Sequence, residues 1–536
     1  MLLKLKQTAQ NAPLALLLLI VAIPSYLSKI GNSTPDVSWL TDMCARILNG
    51  EQAYVDIFET TPPVPTLLYM PAAAIEHYFA LPAEPFALLY ITLFFVGILT
   101  YAERLAPKEL KDIGAFRYWI IAPAALFIFV LTNDAYAQRE TIALAAMLPL
   151  ISVSLWRIEG NAWPGLRTQI IIGCLAGFGA AVKPPIFALP LLVLGGVWLF
   201  RERRFDVLLK SGLFVSGVFA VSLTVLSLAV FPDYLSGIVP LMKEIYVPTK
   251  MGLLSTVGNP SFRICILTTV VTFIFVRKGK VPSSLLIPAV FGLSFFAIHI
   301  MQGKMFAYHA IPAEFFTLIA LSMAIGFHLN TINRPNPKMG ESTDNLIDVL
   351  GLVRSSRSTL SGAAVGAAIF MTMAVVVYTV HDDEPDPIKD YAWAEDLEAP
   401  TALGITPSIY ISFPLARKID AIWVDRIHSQ WVIHYANMMA SKTNVSTEQR
   451  ALYNHWRDSE IKRVVNLVKT KQPEIIIQCV MPGAKILNRQ FLAFAPDLLD
   501  AYEPITEQGG IRVLRRRTAI EASNINRSNS KSASIR

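Results

Sequence analysis

About eleven stretches of this 536-residue chain are apolar, nearly free of charge and close to the roughly 20 residues that a helix needs to cross a bilayer. They lie at 12–28, 85–102, 118–133, 141–156, 168–182, 184–200, 211–232, 264–276, 281–303, 315–330 and 358–380. In lipid every backbone polar group must be paired within its own element, so the expected class is an α-helical polytopic membrane protein. Composition agrees: 53% of the residues are hydrophobic and the mean hydropathy is +0.46, beyond what a soluble domain needs. The first stretch follows Lys4 and Lys6 but ends in IPSYLSKIGNS, without a small-x-small cleavage pattern, and so reads as a retained anchor.

Orientation follows from the cations, because short loops rich in Lys and Arg stay in the cytoplasm. With the N-terminus inside, nineteen Lys and Arg up to residue 380 fall on the cytoplasmic side and eight on the other. The net charge of +7 is thereby a topology signal, and no basic run interleaved with aromatics asks for nucleic acid. The expected location is a bacterial inner membrane, with the C-terminal region periplasmic.

Organisation is expected as follows: a transmembrane bundle over 1–328 with a first outer loop at 30–84, a cytoplasmic connector at 329–357, a last span at 358–380, a small periplasmic α/β domain over 381–517 and a disordered Ser/Asn-rich tail at 518–536. The α/β reading rests on strand-length runs at 408–413 (SIYISF), 422–424 (IWV) and 474–480 (EIIIQCV), which alternate with helical stretches. Cys44 and Cys479 would share the oxidising side, which leaves a disulfide between them open.

The unusual polar residues fall in four clusters, all on the outer side. The first loop carries Asp36, Asp42, Glu51, Asp56 and Glu59 against Arg46, and a loop of about fifty residues is long enough to be functional. Asp36 stands just past the first span, where a carboxylate can face a polar cavity and take a proton from a hydroxyl. A solvated acidic loop is the plainer alternative. The turn NDAYAQRE at 133–140 holds Asn133, Asp134, Gln138, Arg139 and Glu140, more than a turn needs; a self-satisfied Arg–carboxylate cluster would also explain it. Lys183 in VKPP lies between two apolar runs and needs an anionic partner, from a side chain or a phosphate, unless it snorkels to the interface. The segment QGKMFAYHAIPAEFF at 302–316 sets Lys304, Tyr308 and His309 together, donors suited to phosphate or sugar hydroxyls. HExxH, paired CxxC, Asp-rich calcium loops and a Walker sequence are all absent.

These clusters, in this order, resemble bacterial membrane glycosyltransferases of the GT-C superfamily, of the aminoarabinose- and mannosyl-transferase-like kind. The run ARILNGEQAYVDIFETTPPV at 45–64 is similar to their first outer loop, NDAYAQRE to a Gln-Arg-Glu turn, VKPP to a Lys-Pro after a later helix, and QGKMFAYHAIP to a Gln-x-Lys, Tyr-His, Pro signature. The resemblance covers roughly residues 1–330. It implies an inverting enzyme that moves a sugar from a polyprenyl-phosphate donor to a glycan, lipid or protein acceptor at the periplasmic face, in cell-envelope or exopolysaccharide synthesis or modification. By that resemblance Asp36 is the first choice for the base and Asp42 the second. Asp134 would orient the acceptor or hold a divalent metal; Arg139, Lys183, Lys304 and His309 would bind the donor phosphate, with Glu140 and Tyr308 also among the substrate-binding residues. Asp36 is followed by Val37, where the superfamily commonly has an Asp-Glu pair. A lipid-linked glycan ligase or polymerase and a transporter or flippase are the alternatives; the first would show a long late outer loop, the second related halves or broken helices.

Overall fold

The computed structural model of the protein describes residues 13–32, 34–106, 117–132, 135–158, 160–252, 283–304, 306–332 and 390–517, with single positions at 255, 266, 269–270 and 388. The described residues between 14 and 332 form a helical bundle, and residues 401–516 form a mixed α/β unit packed on it.

Among the described residues three helices are long and apolar enough to cross a bilayer: Ala83–Arg104, Arg139–Ile158 and Leu213–Val230. Shorter apolar helices at Leu14–Lys29, Trp119–Leu131, Leu166–Ala181, Leu286–Gln302 and Ile311–Ala324 fall on other expected spans. The two ends of the burial range explain the architecture. Arg139–Ile158 is surrounded on nearly every face and is the central post of the bundle. Leu213–Val230 buries only Leu213, Ser216 and Ser227 and turns Val218, Val221, Val225, Leu226 and Val230 outward, an apolar exterior of the kind that suits hydrocarbon.

Small residues let the helices close in. A Cβ at Gly173 would stand 2.7 Å from the Gly212 carbonyl oxygen, and one at Gly177 would stand 2.5 Å from that of Ser216, so Leu166–Ala181 meets Leu213–Val230 along a glycine pair four residues apart.

The first outer loop is mostly helical. Thr34 caps Pro35–Leu48 by accepting a hydrogen bond from the Val37 amide at 3.3 Å, Pro35 opens the helix and Asp36 sits in its first turn, where a carboxylate suits the helix dipole. The expected connector begins inside the helix Ile311–Ile332. The rest of that connector, nearly all of the expected span at 264–276, the span at 358–380 and the tail at 518–536 lie outside the described residues.

The α/β unit carries five strands: β1 (Thr401–Ile405), β2 (Ile422–Trp423), β3 (Ile475–Cys479), β4 (Tyr502–Gln508) and β5 (Ile511–Arg516). Their order is β2-β1-β3-β5-β4, parallel from β2 to β3 and antiparallel through β5 and β4. β3 is buried at every position, as its apolar run requires of a central strand covered on both faces. The run SIYISF is not a strand. It starts the helix Ile409–Lys418, capped by Ser408, whose hydroxyl accepts from the Tyr410 amide at 3.3 Å; Ile409, Ser412, Phe413 and Ala416 form a buried helical stripe, and Leu415 is buried beside it. Cys44 and Cys479 are free thiols, both buried, so the disulfide left open by the sequence does not form; the Cys44 thiol donates to the Thr66 carbonyl instead.

The two units share one apolar core, in which Phe413 and Trp423 lie with Trp39 and Val37. Polar contacts lock the junction. Arg417 pairs with Glu76 and Glu84, each at 3.2 Å. Arg46 donates to the Asp425 carbonyl at 2.9 Å, the Phe58 amide donates to the Arg426 carbonyl at 2.6 Å, and the Trp456 indole donates to Glu244 at 2.7 Å.

Candidate active site

A cavity of about 590 Å³ opens where the first loop, the turns after the bundle helices and the α/β unit meet. It collects residues that are far apart in sequence: Asp36 and Glu59 from the first loop, Arg139, Lys183, Lys304, Tyr308 and His309 from three later turns, and Ser408, His428, Trp431 and Tyr435 from the α/β unit.

One end is a chain of alternating charge. Asp36 Oδ2 lies 3.6 Å from Arg139, Arg139 lies 3.5 Å from Glu140, and Glu140 forms an ion pair with Lys183. Arg139 and Lys183 also stand over the Tyr308 ring, at 5.8 and 5.5 Å from its centre, and His309 meets that ring edge-on. Burial pushes the Asp36 carboxyl up to about 6; Arg139 and Lys183 oppose the rise, while Glu140 and Glu59 add to it. At neutral pH Asp36 is then an ionised carboxylate close to its transition, which is where a general base works best.

Lys304 occupies the other end. It donates to the Tyr246 carbonyl and the Thr249 hydroxyl, and its ammonium stands 3.7 Å from the centre of the Tyr246 ring. Burial, with Lys250 and Lys442 nearby, holds its pKa down at about 7. Burial likewise pushes His309 well below the usual imidazole range, with Lys183 and Arg139 adding to the fall, so it is neutral.

Asp42 is one turn and a half along the same helix and faces elsewhere: it does not line the cavity, and the charges around it are Arg46, Arg417, Glu51 and Glu76. Burial raises its carboxyl to about 6 as well. Asp134 lies outside the described residues. Among the described residues no group of three His, Cys, Asp or Glu side chains is placed to hold a metal ion.

Sequence reasoning passed over Glu59 as a site residue. Its carboxylate lines the cavity, held by the Trp39 indole at 2.5 Å and the Thr61 amide at 2.6 Å. The available signal was a carboxylate directly before Thr-Thr-Pro-Pro in a loop already marked as acidic. Tyr246, Lys250, His428, Trp431 and Tyr435 were missed too, and nothing local in the sequence marks them.

No family model matches the chain, and no curated protein matches it by sequence. Solved structures do match by shape. The crystal structure of ArnT from Cupriavidus metallidurans bound to undecaprenyl phosphate superposes with a TM-score of 0.53 at 14% identity, covering 94% of this chain and 98% of that one. The same protein in its apo state gives 0.50 at 13% identity, with 93% and 97% covered. This likeness gives the chain the overall fold of those structures.

Proposed function

We propose that this chain is an integral membrane glycosyltransferase that moves a sugar from a polyprenyl-phosphate donor to a hydroxyl of a glycan, lipid or protein acceptor at the periplasmic face, inverting the anomeric centre. The bundle with its first outer loop is the catalytic unit, and the region from 381 to 517 is a periplasmic domain that closes over it. Three lines support the reading: the fold shared with ArnT, the undecaprenyl phosphate bound to that protein, and the motif clusters that converge on one cavity. The observation that carries it is Asp36, a carboxylate near its transition at neutral pH, set in that cavity 3.6 Å from Arg139.

The chemistry assigns each group a task. A polyprenyl phosphate keeps its chain in lipid and its charged head at the interface, so the head must be met by cations at the helix ends. Arg139 and Lys183 supply two, each already balanced by a carboxylate, and Lys304, with its pKa held near 7 and no balancing carboxylate among the described residues, becomes a third when a phosphate beside it favours the charged form. Tyr308 and neutral His309 add hydrogen-bonding edges. Asp36 takes the proton of the acceptor hydroxyl as its oxygen bonds to the sugar anomeric carbon. The bond from that carbon to the phosphate oxygen breaks on the opposite face, and the electron pair leaves with the phosphate. Negative charge grows on the leaving group, and fixed cations bind it more tightly in the transition state than in the ground state. Glu140 keeps Lys183 in place. Asp42 and Asp134 are secondary: Asp42 serves the junction, and Asp134, which lies outside the described residues, remains a second carboxylate for the acceptor or a metal.

Transfer of labelled sugar from extracted polyprenyl-phosphate donors to endogenous acceptors, in wild-type and Asp36→Asn membranes, tests the reading. Loss of a product in the variant alone supports it. No product in either favours a ligase or a flippase.

A further inference from the structure

The cavity lining divides by chemistry. Its Asp, Glu, Lys and Arg side chains, Asp36, Glu59, Arg139, Lys183, Lys250 and Lys304, all come from the bundle. The wall contributed by the α/β unit holds none. Beside Pro407, Ile409 and Tyr410 it presents the hydroxyls of Ser408 and Ser429, the imidazoles of His428 and His434 and the rings of Trp431 and Tyr435.

That neutral wall is firmly built. The Ser412 hydroxyl donates to the His428 carbonyl at 2.7 Å, the Trp423 indole donates to the Ile427 carbonyl at 2.9 Å, and the Gln430 side chain donates to the Gly404 carbonyl at 2.9 Å. Behind them Arg463 pairs with Asp425 at 2.6 Å. His428 is thereby fixed with Nδ1 2.9 Å from the Ser429 hydroxyl and its ring edge-on to Trp39. Burial pushes its pKa down to about 4, so the imidazole is neutral and offers a hydrogen bond without charge. Trp431, 6% exposed, has an indole N–H with no hydrogen-bond partner among the described residues, and its ring packs with Tyr435 and Tyr246 at 6.1 and 6.2 Å between centres.

A prenyl chain has no use for such a wall. Most of the aliphatic lining, Ile186, Met242, Val247 and Met301, lies on the bundle side, against Pro407 and Ile409 from the α/β unit. An anionic ligand would find its countercharges there as well. Aromatic rings flanked by hydroxyl and neutral imidazole groups match a molecule with C–H faces and many hydroxyls. We propose that this wall is the acceptor subsite, and that the acceptor it takes is an uncharged pyranoside, with its ring against Tyr435 and Trp431 and its hydroxyls on His428 and Ser408. Calling the ligand an acceptor rests on the glycosyltransferase reading; the presence of the sugar subsite does not.

Saturation-transfer NMR on the detergent-solubilised full chain tests it, with methyl β-D-glucopyranoside and methyl α-D-mannopyranoside as neutral probes and glucuronate and glucose 6-phosphate as charged ones. The neutral glycosides should receive saturation, reduced at least fivefold by His428→Ala and by Tyr435→Ala, while binding of undecaprenyl phosphate stays within twofold. Absence of a signal from either neutral glycoside overturns the proposal. So does preference for the charged sugars, or equal loss of lipid binding. Should the alanine variants fail to fold, Ser408→Gly, which removes the hydroxyl at a helix-capping position that tolerates glycine, and Tyr435→Leu carry the same test on a smaller scale, each lowering the neutral-glycoside signal at least twofold. Sugar binding without any Asp36-dependent transfer would leave this subsite standing and remove the enzyme reading; transfer without sugar binding would do the reverse.

Discussion

Two buried charge clusters sit on either side of the cavity, and they are built differently. In the α/β unit Asp425, fully buried, receives Arg463 at 2.6 Å and the Gln430 amide at 3.0 Å, and Glu460 receives the same Arg463 at 2.7 Å as well as Arg426. In the bundle Asp36 stands 3.6 Å from Arg139, Arg139 stands 3.5 Å from Glu140, and Asp36 Oδ2 accepts no hydrogen bond from the protein among the described residues. The first cluster is closed, with short bonds that repay the cost of burying charge. The second is open: burial raises the Asp36 pKa, Arg139 at 3.6 Å only partly offsets it, and one carboxylate oxygen is left without a protein hydrogen bond beside the cavity. Tight networks hold a fold together, and loose ones do chemistry.

That contrast can be broken by experiment. Asp36→Asn should lower sugar transfer by about 10²–10⁴-fold, the usual worth of a general base, while the protein still folds and inserts. Asp425→Ala should act the other way, costing about 1.5–3 kcal/mol of stability because Arg463 and the Gln430 amide lose a charged hydrogen-bond partner, read as a lower melting temperature and faster proteolysis of the α/β unit. If Asp36→Asn unfolds the chain, or Asp425→Ala costs only rate, the distinction fails.

The pH dependence sharpens it. A base with a pKa of about 6 loses activity as pH falls through that value, roughly tenfold per unit below it, in rates measured at subsaturating donor. The same shift has the opposite sign for stability. A carboxyl raised from 3.8 to about 6 binds its proton more tightly in the folded protein, so the stability it contributes is present below about 3.8 and lost as pH rises through about 6. Asp36→Asn should therefore stabilise the protein at pH 8, by up to about 3 kcal/mol, and do little at pH 4. The smallest effect is expected at Asp42, outside the cavity: Asp42→Asn should change the acceptor and donor KM by less than about threefold, and a loss as large as that of Asp36→Asn would move the base to this residue.

The bundle was readable because apolar runs announce helices one segment at a time. The cavity was half readable for the same reason: Asp36, Arg139, Lys183, Lys304 and His309 are polar residues out of place at the ends of apolar runs, and such residues need a common destination. His428 and Tyr435 carry no such mark, since a histidine and a tyrosine in a polar region are ordinary, and only the packing of the α/β unit on the bundle brings them to the site. SIYISF misled because alternation over six residues fits a strand as well as one face of a short helix; the Ser408 cap and burial at Phe413 and Ala416 decide it. The separation of Asp36 from Asp42 needed the helix phase. At six residues apart on Pro35–Leu48 they point to different neighbours, one to Arg139 and the other to Arg46 and Arg417.

The hydrogen bond from Arg46 to the Asp425 carbonyl joins residues 379 positions apart. A ribosome adding about 5–20 residues per second reaches Asp425 some 20–75 s after Arg46, so the first loop waits that long with its guanidinium and the Phe58 amide unanchored. The cavity wall that His428, Trp431 and Tyr435 supply is made equally late, so the pocket around Asp36 is complete only when the two ends of the chain have met.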